Sequence, residues 1–334
     1  MKKTILLLAT SLMTLASCGS TTEKPGPEIP DDKTVELFLD NKWENGFNAL
    51  PGNKSFSDGT YPENDWTDNS VLKYDENTPR PTWQVQQTGC IHDLNDRYNP
   101  ITNEYATKEG DVYKFEGVSN YIYTNPSKGE ITLGLNASKE YEAPRKDREN
   151  WPHLLLQNSL AEQLSLSELD NLMFSLDLRL EVENKMKSEE MNEGLHAAQF
   201  LLYFIVYSSA TLDSGEFFYF GIPFYDNRNN GVVKENALID NGTSGNTGNV
   251  IYQMSNSFID ETGFKPGKDY SIEIDLKEYF ADALLACQKF DRFTSTTVDD
   301  LYISNMNIGR ELPGTFDVSA KFSNFSLTAE KKGA

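Results

Sequence analysis

The sequence predicts an all-β protein, an antiparallel two-sheet sandwich of the jelly-roll type with one or two short helices. Two observations lead to this fold class. Short apolar segments recur between clusters of Asn, Asp, Gly and Pro, and longer segments alternate apolar with polar residues at the period of a strand. A third observation excludes the main competitor, because no strand-helix-strand rhythm is present to support a nucleotide-binding sheet.

The first residues predict export. Two lysines precede a short apolar run over residues 5–15, which ends in Leu15-Ala16-Ser17-Cys18. Such a run is too short to span a bilayer, so residues 1–17 are predicted to be a signal peptide. Residues 18–32 are rich in Ser, Thr, Pro, Glu and Lys without apolar periodicity, which predicts a flexible tether. Residues 33–330 are expected to form one β-sandwich domain.

The first part of that domain predicts short strands joined by long loops, because its apolar patches are brief and separated by turn residues. These patches cover residues 35–39, 112–115, 121–123 and 131–135. The second part alternates more regularly, and three segments each place one apolar face inward. They are residues 172–180, 198–207 and 217–225.

The last part of the chain predicts five further short strands and the one clear helix. The strands are predicted at residues 250–254, 271–276, 301–308, 315–322 and 324–327. Within residues 277–289 the apolar side chains recur at helical spacing, and Cys287 is one of them. The pair Cys90 and Cys287 permits a disulfide in an exported protein, and two buried thiols are the equally weighted alternative.

Composition limits the function. The chain has 51 acidic residues against 30 Lys and Arg, a formal charge of −21. Nucleic acid is therefore not the expected partner, because phosphate binding depends on clustered basic side chains. The three His residues form no HExxH motif and no pairing with Cys at metal spacing, which argues against a zinc site. No cofactor is expected; calcium is a minor alternative, with oxygen ligands from Asp226, Asn229, Asn230 and Asp240.

The remaining polar and aromatic residues suit sugar recognition. Sugars present apolar CH faces and rings of hydroxyls, which flat aromatic rings and planar amide, carboxylate and guanidinium groups can bind. The side chains expected to stack on sugar rings are Trp151, Tyr203, Tyr219 and Tyr225. Those expected to bond the hydroxyls are His153, Gln157, Gln199, Asp226 and Arg228. Strand propensity and ordinary turn chemistry are the structural alternatives for each of them.

Within this set, Tyr219 and Tyr225 are expected to share one face of a strand. Asp226 and Arg228, in the turn that follows, are expected to lie near that face. For His153, a structural hydrogen-bonding role competes with ligand binding.

An enzyme is the second hypothesis. Glycoside hydrolysis needs two carboxylates, roughly 5 to 10 Å apart across the scissile bond. The candidates are Glu311, beside Arg310 at a strand end, together with Asp177 or Asp226. An ion pair or a turn anchor is the competing interpretation of Glu311.

Two parts of the sequence resemble known bacterial lipoproteins. The ending Leu15-Ala16-Ser17-Cys18 resembles the lipobox of bacterial lipoproteins, which implies a lipidated Cys18 as the mature N-terminus. With the strand-rich body and the closing segment 305–317 (NMNIGRELPGTFD), the chain resembles Bacteroidota lipoproteins with a concanavalin A-like or carbohydrate-binding sandwich. The resemblance implies polysaccharide capture at the outer membrane, facing the periplasm or the cell surface, with a glycan-import complex as partner.

The sequence thus predicts a lipid-anchored protein that binds a poly- or oligosaccharide, with catalysis the less favoured interpretation. The enzyme hypothesis expects Glu311 to lie near a second carboxylate. A third hypothesis, a structural or adhesive surface lipoprotein, expects the Tyr and Trp side chains to be spread without a shared cleft.

Overall fold

The computed structural model describes residues 33–52, 71–147, 149, 151–241 and 247–333. The predicted signal peptide, the tether and Cys18 lie outside these described residues. Within them, no helix combines the length and apolar character that a membrane-spanning segment needs. The described residues form two sheets and one α-helix, numbered below in chain order.

The first sheet has eight strands in the order β15-β10-β17-β8-β7-β6-β5, with β1 paired to β17. All its pairings are antiparallel. Its strands are β1 (Thr34–Glu36), β5 (Thr107–Glu109), β6 (Val112–Glu116), β7 (Asn120–Asn125), β8 (Glu130–Asn136), β10 (Leu169–Asn184), β15 (Asp269–Asp275) and β17 (Phe316–Lys331).

The second sheet has nine strands in the order β13-β14-β12-β11-β16-β9-β4-β2-β3. Its strands are β2 (Phe47–Ala49), β3 (Val71–Leu72), β4 (Trp83–Gln86), β9 (His153–Ser159), β11 (Gln199–Ser208), β12 (Phe217–Asp226), β13 (Asn236–Ile239), β14 (Val250–Gln253) and β16 (Leu301–Glu311). Two of its pairings, β2 with β4 and β12 with β14, are parallel. The all-β sandwich is confirmed, and these parallel pairs are its departure from a purely antiparallel arrangement.

The two sheets pack face to face around one aromatic-rich core. Phe174 of β10 contacts Phe224 of β12, and Phe200 of β11 contacts Phe322 of β17, with ring centroids 6.4 and 6.2 Å apart. All four rings are fully buried or nearly so. Each buried aromatic side chain stabilises the fold by about 1.5–3 kcal/mol relative to exposure, so these cross-sheet contacts hold the layers together.

The predicted helix is confirmed as α1 (Tyr279–Gln288). Phe280 stacks on the inward-facing Phe220 of β12 with a centroid distance of 4.4 Å, so the helix covers the core side of the nine-stranded sheet. Cys287 lies buried on this helix, and Cys90 is buried elsewhere. Both are free thiols, so the structure has the two buried thiols and not the disulfide.

The last two predicted strands, 315–322 and 324–327, are one continuous strand. β17 runs from Phe316 to Lys331, and its pairing with β10 shifts register between Ser175 and Asp177. Asn324 lies in the shifted segment with a φ of +49°, a left-handed conformation that Asn tolerates better than most residues. The prediction of two strands was wrong because a bulge interrupts the side-chain alternation without ending the strand.

Candidate functional site

The outer face of the nine-stranded sheet, the side turned away from the core, differs in composition from the rest of the molecule. The chain is 24% charged. The nine strands contain only four residues of the types Asp, Glu, Lys, Arg and His. These are His153, Asp226, Arg310 and Glu311. Arg310 points inward and is completely buried. In place of charges, the outer face carries amide and aromatic side chains.

A row of polar side chains crosses the middle of this face. The pairing registers place Gln253, Gly221, Tyr203, Asn307 and Gln157 side by side on β14, β12, β11, β16 and β9. Gln253 donates from Nε2 to the Tyr203 hydroxyl at 2.5 Å. The Oδ1 atom of Asn307 is buried and has no hydrogen-bond partner among the described residues. A buried acceptor without a partner is costly, so the centre of the row favours an incoming donor.

The row continues on β4. Gln84 lies opposite Gln157, and Gln86 donates its side-chain amide to Gln157. Carboxamides offer both donors and acceptors in one plane, so this part of the face can bond hydroxyl groups in either sense.

One end of the face holds an ion pair between His153 and Glu311. The two residues are direct partners on β9 and β16, with His153 Nε2 3.4 Å from Glu311 Oε2. His153 Nδ1 is 3.1 Å from the carbonyl oxygen of Thr88, so in the protonated ring both nitrogens donate. Trp151 Nε1 donates to the same Oε2 at 3.3 Å.

This geometry shifts both pKa values toward the charged forms. Burial alone would lower the pKa of His153, but the Glu311 carboxylate and the hydrogen bonds raise it above its ordinary value. Burial alone would raise the pKa of Glu311, but the charge of His153, the bonds from His153 and Trp151, and the charge of Arg228 lower it below its ordinary value. Glu311 is therefore an ionised carboxylate at neutral pH.

A second ion pair lies beside the first. Gln199 on β11 is the direct partner of Glu311 on one side and of Asp226 on the other. Gln199 Nε2 donates to Asp226 Oδ2 at 2.9 Å, and Arg228 donates from Nε and Nη2 to the same carboxylate at 2.5–3.2 Å. Arg228 also lines an open depression of about 560 Å³, together with Lys234 of the following loop and Asn236 at the start of β13.

Tyr203 lies against the sheet because β12 has a glycine beside it. A Cβ atom on Gly221 would fall 2.5 Å from Cε1 of the Tyr203 ring. The glycine thus lets the ring lie over the backbone, where burial raises the pKa of its hydroxyl. Tyr219 packs edge to face against Tyr203 with a centroid distance of 5.8 Å.

The structure brings most of the predicted binding residues together on the outer face. Those on the face or at its rim are Trp151, His153, Gln157, Gln199, Tyr203, Tyr219, Asp226 and Arg228. The guanidinium of Arg145 lies 4.8 Å from the Trp151 ring centroid, so this ring already has a cation against it. Trp151 acts here as the hydrogen-bond donor to Glu311, and its stacking role stays a prediction.

Two predicted residues lie elsewhere. A register shift between Phe200 and Leu201 turns Tyr225 inward, where it is 9% exposed and packs against Phe264. The expectation that Tyr219 and Tyr225 share a face was wrong, because one bulge residue reverses the alternation. Asp177 lies on β10 of the other sheet and accepts a bond from Ser271 at 2.6 Å, so it does not approach Glu311.

The suggested calcium ligands are also directed to different partners. Asp226 is held by Arg228, and Asp240 accepts from Thr247 at 2.8 and 2.9 Å. Among the described residues, no group of three or more His, Cys, Asp and Glu side chains converges on a point. The carboxylate of Asp226 is therefore not available in the arrangement that calcium would need.

Six residues of the outer face were not among the predicted site residues. They are Gln84, Gln86, Gln253, Asn307, Phe217 and Tyr302. Asn307 could have been found, because it alternates with buried Met306 and Ile308 along one predicted strand. Tyr302 could not, because it reaches the outer face only through the register shift between Ile303 and Asn305. Gln84 and Gln86 gave a weaker signal, since β4 has only four residues and no long alternation.

One further acidic pattern lies outside the predicted site. Residues 273–278 (EIDLKE) place three acidic side chains at ExDxxE spacing. The run begins on β15, at an edge of the eight-stranded sheet, where Glu273 lies opposite Ser175. Asp275 Oδ1 accepts from the backbone amides of Leu172 and Lys277, both at 3.0 Å. Glu273 and Asp275 therefore belong to the other sheet, and Glu278 directly precedes α1, so none of the three lies on the strands of the outer face described above.

Comparison with known proteins gives limited similarity. No protein-family model and no curated protein match the chain. An endoglucanase from Rhodothermus marinus is 11% identical, covering 74% of this chain and 99% of that chain at a TM-score of 0.36. A family 12 xyloglucanase from Bacillus licheniformis is 12% identical, covering 67% and 88% at a TM-score of 0.38.

A family 11 xylanase from Neocallimastix patriciarum is similar to the same degree. It is 9% identical and covers 67% of this chain and 94% of that chain, with a TM-score of 0.37. At TM-scores below 0.5 these similarities support no conclusion about activity, and the sandwich is established by the chain's own two sheets.

Proposed function

We propose that the outer face of the nine-stranded sheet binds a neutral glycan and does not cleave it. The observation that carries this proposal is the cross-strand row of Gln253, Tyr203, Asn307 and Gln157, with the unpartnered Asn307 Oδ1 in its middle. A glycan hydroxyl can donate to that oxygen, while the flanking amides and the phenol bond neighbouring hydroxyls.

The charge distribution supports a neutral ligand. The carboxylates on this face, Glu311 and Asp226, each face a cation, His153 and Arg228. No lysine lies on any of the nine strands. An acidic polysaccharide would meet no unpaired cation on the strands and would be repelled by a chain of net charge −21.

The carboxylate positions argue against cleavage. A retaining hydrolase needs a second carboxylate about 5 Å from the first, and the position directly opposite Glu311 holds the amide of Gln199. Asp226 lies one strand farther, about 10 Å from Glu311 across two strand spacings, which is the upper limit for an inverting pair, and its carboxylate is bound by Arg228. The lowered pKa of Glu311 also leaves it ionised, whereas a general acid needs a raised pKa.

The test passes the purified protein over an immobilised panel of neutral and acidic glycans, following retention and the release of reducing ends. We expect retention on a neutral glycan, no released sugar, and the same absence of release for Glu311→Gln. Release by the wild type that disappears in Glu311→Gln would establish the hydrolase hypothesis instead. Retention only on acidic glycans would contradict the charge argument.

We also propose that Cys18 carries the lipid anchor that would hold this face near a membrane. This proposal rests on the lipobox resemblance of residues 15–18 and the tether that follows. Detergent phase partitioning of the protein expressed in a bacterial host tests it. The wild type and Ser20→Ala should enter the detergent phase, and Cys18→Ser should stay in the aqueous phase; equal partitioning of all three would refute the anchor.

A further inference from the structure

The outer face does not end at the polar row. Beyond Tyr203 and Tyr219, three more aromatic side chains follow on the same side of β11, β12 and β16: Tyr207, Phe217 and Tyr302. Their strand neighbours Val206, Phe218 and Ile303 are buried in the core, so alternation turns these three rings outward. Each of the three is half-buried.

The five rings form a continuous series. Tyr203 contacts Tyr219 at 5.8 Å, Tyr219 contacts Phe217 at 5.3 Å, and Phe217 contacts Tyr207 at 5.6 Å between ring centroids. Tyr207 then lies nearly parallel to Tyr302, at 5.8 Å and an interplanar angle of 18°. We call these five residues the aromatic stripe. It runs along the strands, whereas the amide row runs across them.

The length of the stripe sets the size of the ligand. Tyr203, in the amide row, and Tyr207, in the distal part of the stripe, lie four residues apart on β11, which corresponds to about 14 Å at about 3.4 Å per residue. One sugar ring cannot cover this distance. A mono- or disaccharide would occupy the amide row alone and leave the distal rings uncovered.

We infer that the site accommodates an extended glycan chain along β11, with Tyr207, Phe217 and Tyr302 forming a distal subsite for sugar rings beyond the amide row. This inference rests on the proposed function, since the stripe is continuous with the amide row through Tyr203. Apolar sugar faces suit exposed aromatic rings, and the hydroxyl edges suit the row. The protein therefore selects polymers by chain length.

The experiment uses the neutral polysaccharide retained by the panel and its partial acid hydrolysate, fractionated by chain length. Affinities of the wild type, Tyr302→Ala and Tyr203→Ala are measured by calorimetry. For the wild type, affinity should rise with chain length until the chain reaches about 14 Å beyond the amide row. Tyr302→Ala should weaken the longest fragments about three- to tenfold and leave the shortest within twofold. Tyr203→Ala should weaken fragments of every length.

The outcomes separate the two claims. Equal affinity for short and long fragments, or no effect of Tyr302→Ala on long ones, overturns the distal subsite while Tyr203→Ala still reports on the amide row. Unchanged binding by Tyr203→Ala, or no retained glycan at all, overturns the proposed function and the subsite with it. Tyr123→Ala on the eight-stranded sheet is the matched control and should bind like the wild type.

Discussion

Replacing Glu311 with Gln keeps the shape of the side chain and removes the charge that His153 and Trp151 contact. The two contacts are 3.4 and 3.3 Å long, at the weak end for bonds to a charged group. We therefore assign about 1 kcal/mol to each, and expect Glu311→Gln to lower the free energy of unfolding by about 1–2 kcal/mol in mildly acidic solution.

The loss should depend on pH with a defined sign. The pKa of His153 is raised, so its contribution is complete below its ordinary pKa of 6.5 and disappears as the pH rises through the higher folded-state value. The pKa of Glu311 is lowered, so its contribution is complete above its ordinary pKa of 4.5 and disappears as the pH falls through the folded-state value. The difference in the free energy of unfolding between wild type and Glu311→Gln is therefore largest between pH 4.5 and pH 6.5, where both contributions are complete.

Urea unfolding at about pH 5.5 and about pH 9 measures this difference. We expect the destabilisation by Glu311→Gln to shrink at the higher pH, where His153 is neutral. Glu183→Gln is the control, because its bond to Lys185 is exposed and should change stability by less than about 0.5 kcal/mol at either pH. An equal or larger loss at about pH 9 would refute the ion pair as the source of the effect.

Three further changes test other parts of the structure. Arg310 is completely buried, its Nε and Nη2 have no partner among the described residues, and burial lowers its pKa to about 9, so Arg310→Met should leave stability unchanged or raise it by about 1–4 kcal/mol in urea unfolding; a clear loss would contradict this. Gly221→Ala should displace the Tyr203 ring and weaken glycan retention several-fold without unfolding the protein, as followed by affinity electrophoresis and circular dichroism; full retention would contradict this. Cys18→Ser should abolish membrane association in cell fractionation, and unchanged association would contradict the anchor.

Side-chain alternation predicted the strands well wherever it was long. β10 runs with a buried residue at every second position from Leu172 to Leu180, as its sequence predicts. The same rule failed where a bulge added one residue, turning Tyr225 inward and joining two predicted strands around Asn324. A bulge changes the face of every later residue and has no strong signature in a single sequence.

The members of the site were easier to predict than their arrangement. Amphipathic residues at every second position of several strands indicated one polar face. The pairing registers place Gln199, Tyr203 and Gln157 on that face. The pairing of His153 with Glu311 could not be foreseen, because β9 and β16 are separated by some 150 residues in the chain and nothing local sets their order. The exclusion of Asp177 likewise required knowing which sheet holds β10.

The most direct test of the glycan-binding face compares Tyr203→Ala with Tyr123→Ala. Both tyrosines are half-buried on outer strand faces, but they lie on opposite sheets. Affinity electrophoresis in gels containing the retained neutral glycan measures both in one experiment. We expect Tyr203→Ala to migrate as though no glycan were present, whereas Tyr123→Ala is retarded like the wild type. Equal retardation of the two variants, or loss of retardation only in Tyr123→Ala, would contradict it.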